Sequence, residues 1–214
     1  MRARAVALPA PRKATMSVVA LAAAVVLLAW LLVATPAKAQ AASVRLDGVR
    51  TTLTTNPATT TLLFGAGIIP MPVWPTPITL TTHAARYSFP VTGGAVNATT
   101  LAGNIRHSGG IVLVKRSGNA WTTLSLTRFT ITISKHPHLS AIVNGGKRLS
   151  IAALDLSKAK IVRAAKHGRA FVSVSNVTVN LNATAVGAIN ATFGTSLAAP
   201  VDLGTANVLV RVAR

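Results

Sequence analysis

The sequence contains no cysteine, no glutamate and a single tyrosine, and it sets three aspartates against 22 Lys and Arg. Each shortage removes a class of chemistry. Without cysteine there is no disulfide scaffold, no thiolate metal site and no thiol to carry a lipid anchor. Without glutamate, a paired-carboxylate mechanism would need two of Asp47, Asp155 and Asp202. Asp155 lies between Leu154 and Leu156, the alternation of a residue on the solvent face of a strand; Asp47 and Asp202 fall toward opposite ends of the chain, in expected loops. No Gly-x-Ser-x-Gly elbow and no phosphate-binding glycine loop closed by Lys-Ser or Lys-Thr occurs. These residues point to a non-enzymatic protein with no metal site.

Only one long apolar run is present. Arg2, Arg4, Arg12 and Lys13 precede an apolar stretch from Met16 to Ala34, which ends at Pro36 and is followed by Ala37-Lys38-Ala39. A basic start, an apolar run and a small-x-small site make the layout of a secretory signal peptide over residues 1–39, leaving residues 40–214 as one domain. The competing reading keeps residues 16–34 as a membrane anchor, since that length comes close to spanning a bilayer. The alanine-rich run and the adjoining cleavage site favour removal. No second run of that length follows, so no transmembrane span is expected after processing, and the protein is expected to be secreted and associated with the cell envelope.

Residues 1–39 hold five of the 22 Lys and Arg and no acid, so residues 40–214 keep 17 cations against three aspartates, a net charge of about +14. A field of that sign attracts polyanions. For an exported protein these are anionic cell-wall polymer or lipid headgroups, and nucleic acid is not expected. The densest cluster is "KAKIVRAAKHGR", with Lys158, Lys160, Arg163, Lys166 and Arg169. It reads either as a solvated loop or as a dock for anionic polymer or lipid. No aromatic residue interleaves these charges, which argues against stacking on single-stranded nucleic acid.

A chain of about 175 residues fits one domain and buries roughly 70% of the surface its unfolded form exposes. Low charge with abundant Thr, Val, Ala and Gly favours strands. From Ile78 onward, short β-type runs alternate with the clusters Thr92-Gly93-Gly94, Ser108-Gly109-Gly110, Ser117-Gly118-Asn119 and Asn144-Gly145-Gly146. Two longer runs break phase. Leu124 and Leu126 give way to Phe129, Ile131 and Ile133 across Arg128, and Val172 and Val174 give way to Val177, Val179 and Leu181. Such breaks are what β-bulges or strand corners produce. The expected fold is all-β and mostly antiparallel: a sandwich-like, two-sheet domain with one short C-terminal helix. That helix covers residues 184–193, where Ala185, Val186, Ile189 and Phe193 recur at helical spacing; Asn182 or Thr184 is available to cap it and Gly194 to stop it. The prolines of "GIIPMPVWPTP" mark an edge strand or extended connection.

The histidines are His83, His107, His136, His138 and His167. His136-Pro137-His138 would set two imidazoles on one strand face, but zinc needs further ligands and none is near in sequence, so a turn with two solvated histidines is expected. Asn-x-Thr sequons begin at Asn97, Asn176, Asn182 and Asn190 and are expected by chance in a threonine-rich chain.

The stretches "SFPVTGGAVNATTLAGNIRHSGGIVLV", "LSLTRFTITI" and "HLSAIVNGG", with the tail "LNATAVGAINATFGTSLAAPVDLGTANV", resemble exported bacterial domains of the HtaA type over roughly residues 45–212. The resemblance implies a β-rich envelope domain, some members of which hold haem through a tyrosine assisted by a histidine and pass it toward an importer. The family's opening Trp and Tyr motif, which carries the haem-ligating tyrosine, is replaced here by "VRTTLTTNPATTTLLFG". Tyr87 and His107 are the residues a haem site would then use. Their other readings stay open: Tyr87 shares strand parity with Phe89, as a core residue would, and His107 stands before a glycine pair, as a turn or packing residue would.

Processing is the first expectation to test. The secreted protein should begin near Gln40 by intact-mass measurement, whereas recovery of residues 1–39 in the membrane fraction would favour the anchor.

Overall fold

The structure, a computed structural model, describes residues 43–81 and 84–213. The proposed leader with its cleavage site, and His83, lie outside the described residues. Fourteen elements follow in order: β1 (Ser43–Thr55), α1 (Pro57–Gly65), β2 (Ile68–Val73), β3 (Ile78–Leu80), β4 (Ala85–Asn97), β5 (Gly103–His107), β6 (Gly110–Ser117), β7 (Ala120–Ile133), β8 (His138–Val143), β9 (Arg148–Asp155), β10 (Lys160–Lys166), β11 (Arg169–Leu181), α2 (Ala183–Phe193) and β12 (Val201–Val212). The all-β, antiparallel expectation holds, and residues 78–181 are mostly strand.

The two-sheet sandwich is corrected. Eight strands run in the order β7-β5-β4-β1-β12-β11-β9-β8, and β8 pairs back onto β7, so one sheet closes on itself as a barrel. The phase breaks are the reason it can close. At Arg128 the backbone turns left-handed (φ 51°) and the β7–β8 register slips between Thr127 and Thr130; at Asn176 (φ 60°) the β11–β12 register slips between Val174 and Val177. Each slip adds a residue to one strand, which bends it and raises its twist. The bends expected to carry strands between two sheets instead curl a single sheet.

Thr92-Gly93-Gly94, expected as a turn, lies inside β4. Glycine is needed there because β5 crosses closely: a Cβ on Gly94 would stand 2.0 Å from the carbonyl oxygen of Asn104, at a φ of 138°. Asp47 and Asp202, expected in loops, lie in β1 and β12. They fall at opposite ends of the β12 ladder, since Leu46 pairs with Val212 and Asp202 with Asn180.

Among the described residues there are two helices rather than one. Threonine-rich α1 was hidden by its β-type composition, yet Asn56 caps it by accepting from the Ala58 N–H and Pro57 opens it. The expected C-terminal helix is α2. Asn182 caps it through the Ala185 N–H, Gly194 ends it in the left-handed region, and Ala185, Val186, Ile189 and Phe193 are its buried face. Lys115 Nζ, from β6, donates to the carbonyl of Phe193 at the helix end.

β5 and β6 lie end to end along one edge of β7, β5 beside residues 130–133 and β6 beside residues 120–127. The break between them is Ser108-Gly109. There the turn after β2 docks: Thr76 Oγ1 accepts from the Gly110 N–H at 3.0 Å, and a Cβ on Gly109 would fall 2.1 Å from that oxygen. His107 is the last strand residue before this break.

Two glycines separate close approach from mere flexibility. Gly94→Ala is expected to destabilise the barrel by about 2 kcal/mol or more, because backbone must move. Gly187→Ala, in α2 with open space around it, is expected to stabilise by up to about 1 kcal/mol. Chemical denaturation of the two variants checks both signs.

Candidate functional site

The barrel encloses a cavity of about 250 Å³. β1, β4, β5, β7, β11 and β12 all contribute to its wall, so strand alternation carries Leu53, Tyr87, Phe89, Ile105, Phe129, Ile131, Val177 and Val208 inward. Tyr87 and Phe89 rings stack at 6.5 Å, and Phe89 meets Phe129 edge-on at 4.9 Å.

Both residues proposed for haem line this cavity. Tyr87 is 1% exposed and His107 4% exposed. Tyr87 Oη donates to the carbonyl of Pro70 at 2.9 Å. Burial pushes its phenol up to about 12, so the neutral form prevails and tyrosinate is strongly disfavoured. Arg86, adjoining in sequence, is exposed on the opposite face.

His107 is held at both nitrogens. Its Nδ1 lies 3.2 Å from the Phe129 carbonyl, which can only accept, and its Nε2 lies 2.7 Å from Thr51 Oγ1. Nδ1 therefore carries the proton and Nε2 accepts from the threonine hydroxyl. Burial lowers its pKa to about 4, against a smaller opposing effect of the Phe129 bond. A hydroxyl beside an imidazole is the geometry of an activated nucleophile, but this imidazole is a weak base. Its orienting partner is a carbonyl, without the charge that stabilises imidazolium in catalytic triads. Sequence reasoning found Tyr87 and His107 but missed Thr51, Pro70 and Phe129, which fix them. The signal that was available for Thr51 is its shared strand parity with Leu53.

The basic cluster is not a loop. β10 and β11 form a hairpin ribbon that turns between Lys166 and Arg169; β12 pairs with the other edge of β11 from Phe171 on, so β10 is the free edge, and residues 160–170 are exposed throughout. Lys158 sits in the turn that leads in. Arg169 comes within 4.0 Å of Asp47, which Arg211 holds more tightly through its Nε at 2.7 Å. The ladder sets half-buried Phe171 opposite Ala164, so one aromatic residue does stand among the cations. Asp155 is exposed, and its carboxyl is held low chiefly by the Ser157 N–H.

His136 is exposed in the turn before β8, and His138 Nδ1 lies 3.1 Å from the His136 carbonyl, so that nitrogen is spent on the backbone. Among the described residues no group of three His, Asp or Glu is placed to hold a metal ion. Of the sequon asparagines, Asn97, Asn182 and Asn190 hydrogen-bond backbone N–H groups close by in sequence.

No family model and no curated protein matches the sequence. Among solved structures, the fold matches the C-terminal domain of HtaA from Corynebacterium glutamicum at a TM-score of 0.54 and 15% identity, over 79% of this chain and 99% of that one. HtaB from the same organism, described as a heme binding protein, aligns at a TM-score of 0.47 and 14% identity, over 79% of this chain and 96% of its own. The fold is HtaA-like, as the resemblance in the residues implied.

His107 makes stability depend on pH. Its folded pKa of about 4 lies below the unfolded value of 6.5, so the unfolded chain binds the extra proton between them. The stabilisation is complete above about pH 6.5 and is lost as pH falls toward 4. Between pH 7 and pH 5 the loss is expected to be about 2 kcal/mol. Denaturant titrations at the two values should show it, and His107→Gln should flatten the difference.

Proposed function

We propose that the protein is an exported, non-catalytic envelope protein that docks anionic cell-wall polymer through the β10–β11 ribbon, with residues 1–39 as its leader and residues 40–214 as its working domain. The exposed ribbon carries this reading. Strand register puts Lys160, Lys166 and Arg169 on one face and Arg163 on the other, with Lys158 at the base. Cations strung along an exposed edge strand and its turn suit an extended polyanion laid beside that edge. With about +14 of net charge behind it, the ribbon also gathers polyanions from a distance. The inventory of three dispersed aspartates and a weakly basic buried histidine supports a role without catalysis. Among the described residues no helix is long and apolar enough to cross a membrane.

A second reading, haem carriage, has one observation in its favour: Tyr87 and His107 line the same cavity. Against it, each already spends its polar atoms on the protein, and the phenol resists ionisation. Haem is therefore expected to bind weakly or not at all.

Co-sedimentation with anionic wall polymer tests the docking. Attachment should fall between 0.1 M and 1 M salt as the Debye length shrinks from about 10 Å to about 3 Å, and replacing Lys158, Lys160, Arg163 and Lys166 by Gln should reproduce that fall. Attachment unchanged by both treatments removes the ribbon from the proposal. Salt-sensitive binding to anionic vesicles but not to polymer would reassign the partner to lipid headgroups.

A further inference from the structure

The wall of the barrel is extended on one side by two strands that do not join. β2 pairs with β6 and β3 with β4, and no ladder links β2 to β3, so the two present bare edges across a slit. The N–H and C=O of one strand residue point to the same side. The Pro70 carbonyl accepts from Tyr87 across this gap, so the N–H that Pro70 lacks would also have faced it, and by alternation so would that of Pro72. The prolines keep the slit from zipping closed, while Tyr87 clasps it from β4.

Behind the slit lies the barrel cavity. Among its wall residues, Phe64, Ile69 and Leu80 reach solvent, at 55%, 48% and 73% exposure, and they stand on α1, β2 and β3. Exposed apolar side chains thus rim its mouth. Inside, no Lys, Arg or Asp lines the wall. The Thr51, Thr55, Thr59, Thr60 and Tyr87 hydroxyls and both His107 nitrogens are hydrogen-bonded within the protein, and among the described residues no buried polar side-chain atom lacks a partner. An occupant gains no hydrogen bond and no ion pair there, and a buried carboxylate would stand unpaired. A dry cavity of about 150 Å³ accepts benzene, so about 250 Å³ suits a longer apolar group.

We infer that the cavity binds a single acyl chain, which enters methyl end first through the slit between β2 and β3 and leaves its polar head at the rim. A gap between two strand edges admits a slender chain more readily than a flat macrocycle, and a mainly apolar wall whose few polar groups are already satisfied recognises a hydrocarbon. This site is separate from the β10–β11 ribbon, so either assignment can fail without the other.

Titration of the purified protein with dodecanoic acid, isotopically labelled at its terminal methyl and kept below its micelle concentration, tests the site by NMR. Saturable one-to-one binding is expected, with the methyl in contact with Leu53 and Phe89. Leu80→Asp at the exposed rim and Val208→Phe within the cavity should each weaken binding about tenfold or more, while the glutamine-substituted ribbon binds as before. If Val208→Phe fails to fold, Leu80→Asp decides alone. The absence of saturable binding overturns the inference, as does binding that Leu80→Asp leaves unchanged in a protein with a native circular dichroism spectrum. Tight haem uptake that dodecanoic acid does not displace would also overturn it, and would move haem carriage into first place.

Discussion

The fold depends on β7 having three partners. Along one edge it meets β5 and then β6, and along the other it meets β8, so it is the strand through which the sheet becomes a ring. The left-handed residue Arg128 makes this possible. Before it, Leu124 points to the core; after it, Phe129 and Ile131 do, although the parity has changed. An unbroken alternation would have sent Phe129 to solvent. The His107 bond to the Phe129 carbonyl and the aromatic contact between Phe89 and Phe129 both exist because of that one change of phase.

Much of this was legible in residues. Strand runs, two phase breaks, the proline edge and α2 with its cap followed from periodicity and turn chemistry. Closure did not, because it is a matter of which strands are neighbours at long range, and β9–β11 pairing leaves no mark within either strand. Local composition also misled at Thr92-Gly93-Gly94, where glycine answers the approach of another backbone rather than a turn, and at α1, where threonine content outweighed a good cap. At the site, parity brought Tyr87 inward and the glycine pair placed His107 at a break. The groups that neutralise them, Pro70 and Thr51, lie 17 and 56 residues away in the chain, beyond the reach of any local pattern.

The interior and exterior divide the chemistry between them. Inside, among the described residues, every buried polar side-chain atom is matched to a partner, and the sole tyrosine and one histidine are held neutral by burial. Outside, charge is nearly all of one sign, with Asp47 taking contacts from Arg211 and from Arg169 at the turn of the ribbon. Burial and shape govern the interior, and charge governs the exterior.

The last strand sets how the chain can assemble. β12 lies between β1 and β11, so residues some 150 positions apart, such as Thr54 and Thr205, are direct neighbours. Contacts of that separation order long loops before they return any stability, which slows folding. Until residue 212 is available, β1 and β11 have no partner on that side and the ring stays open. The barrel cannot close while the chain is still being made, and its completion is an event of the whole chain.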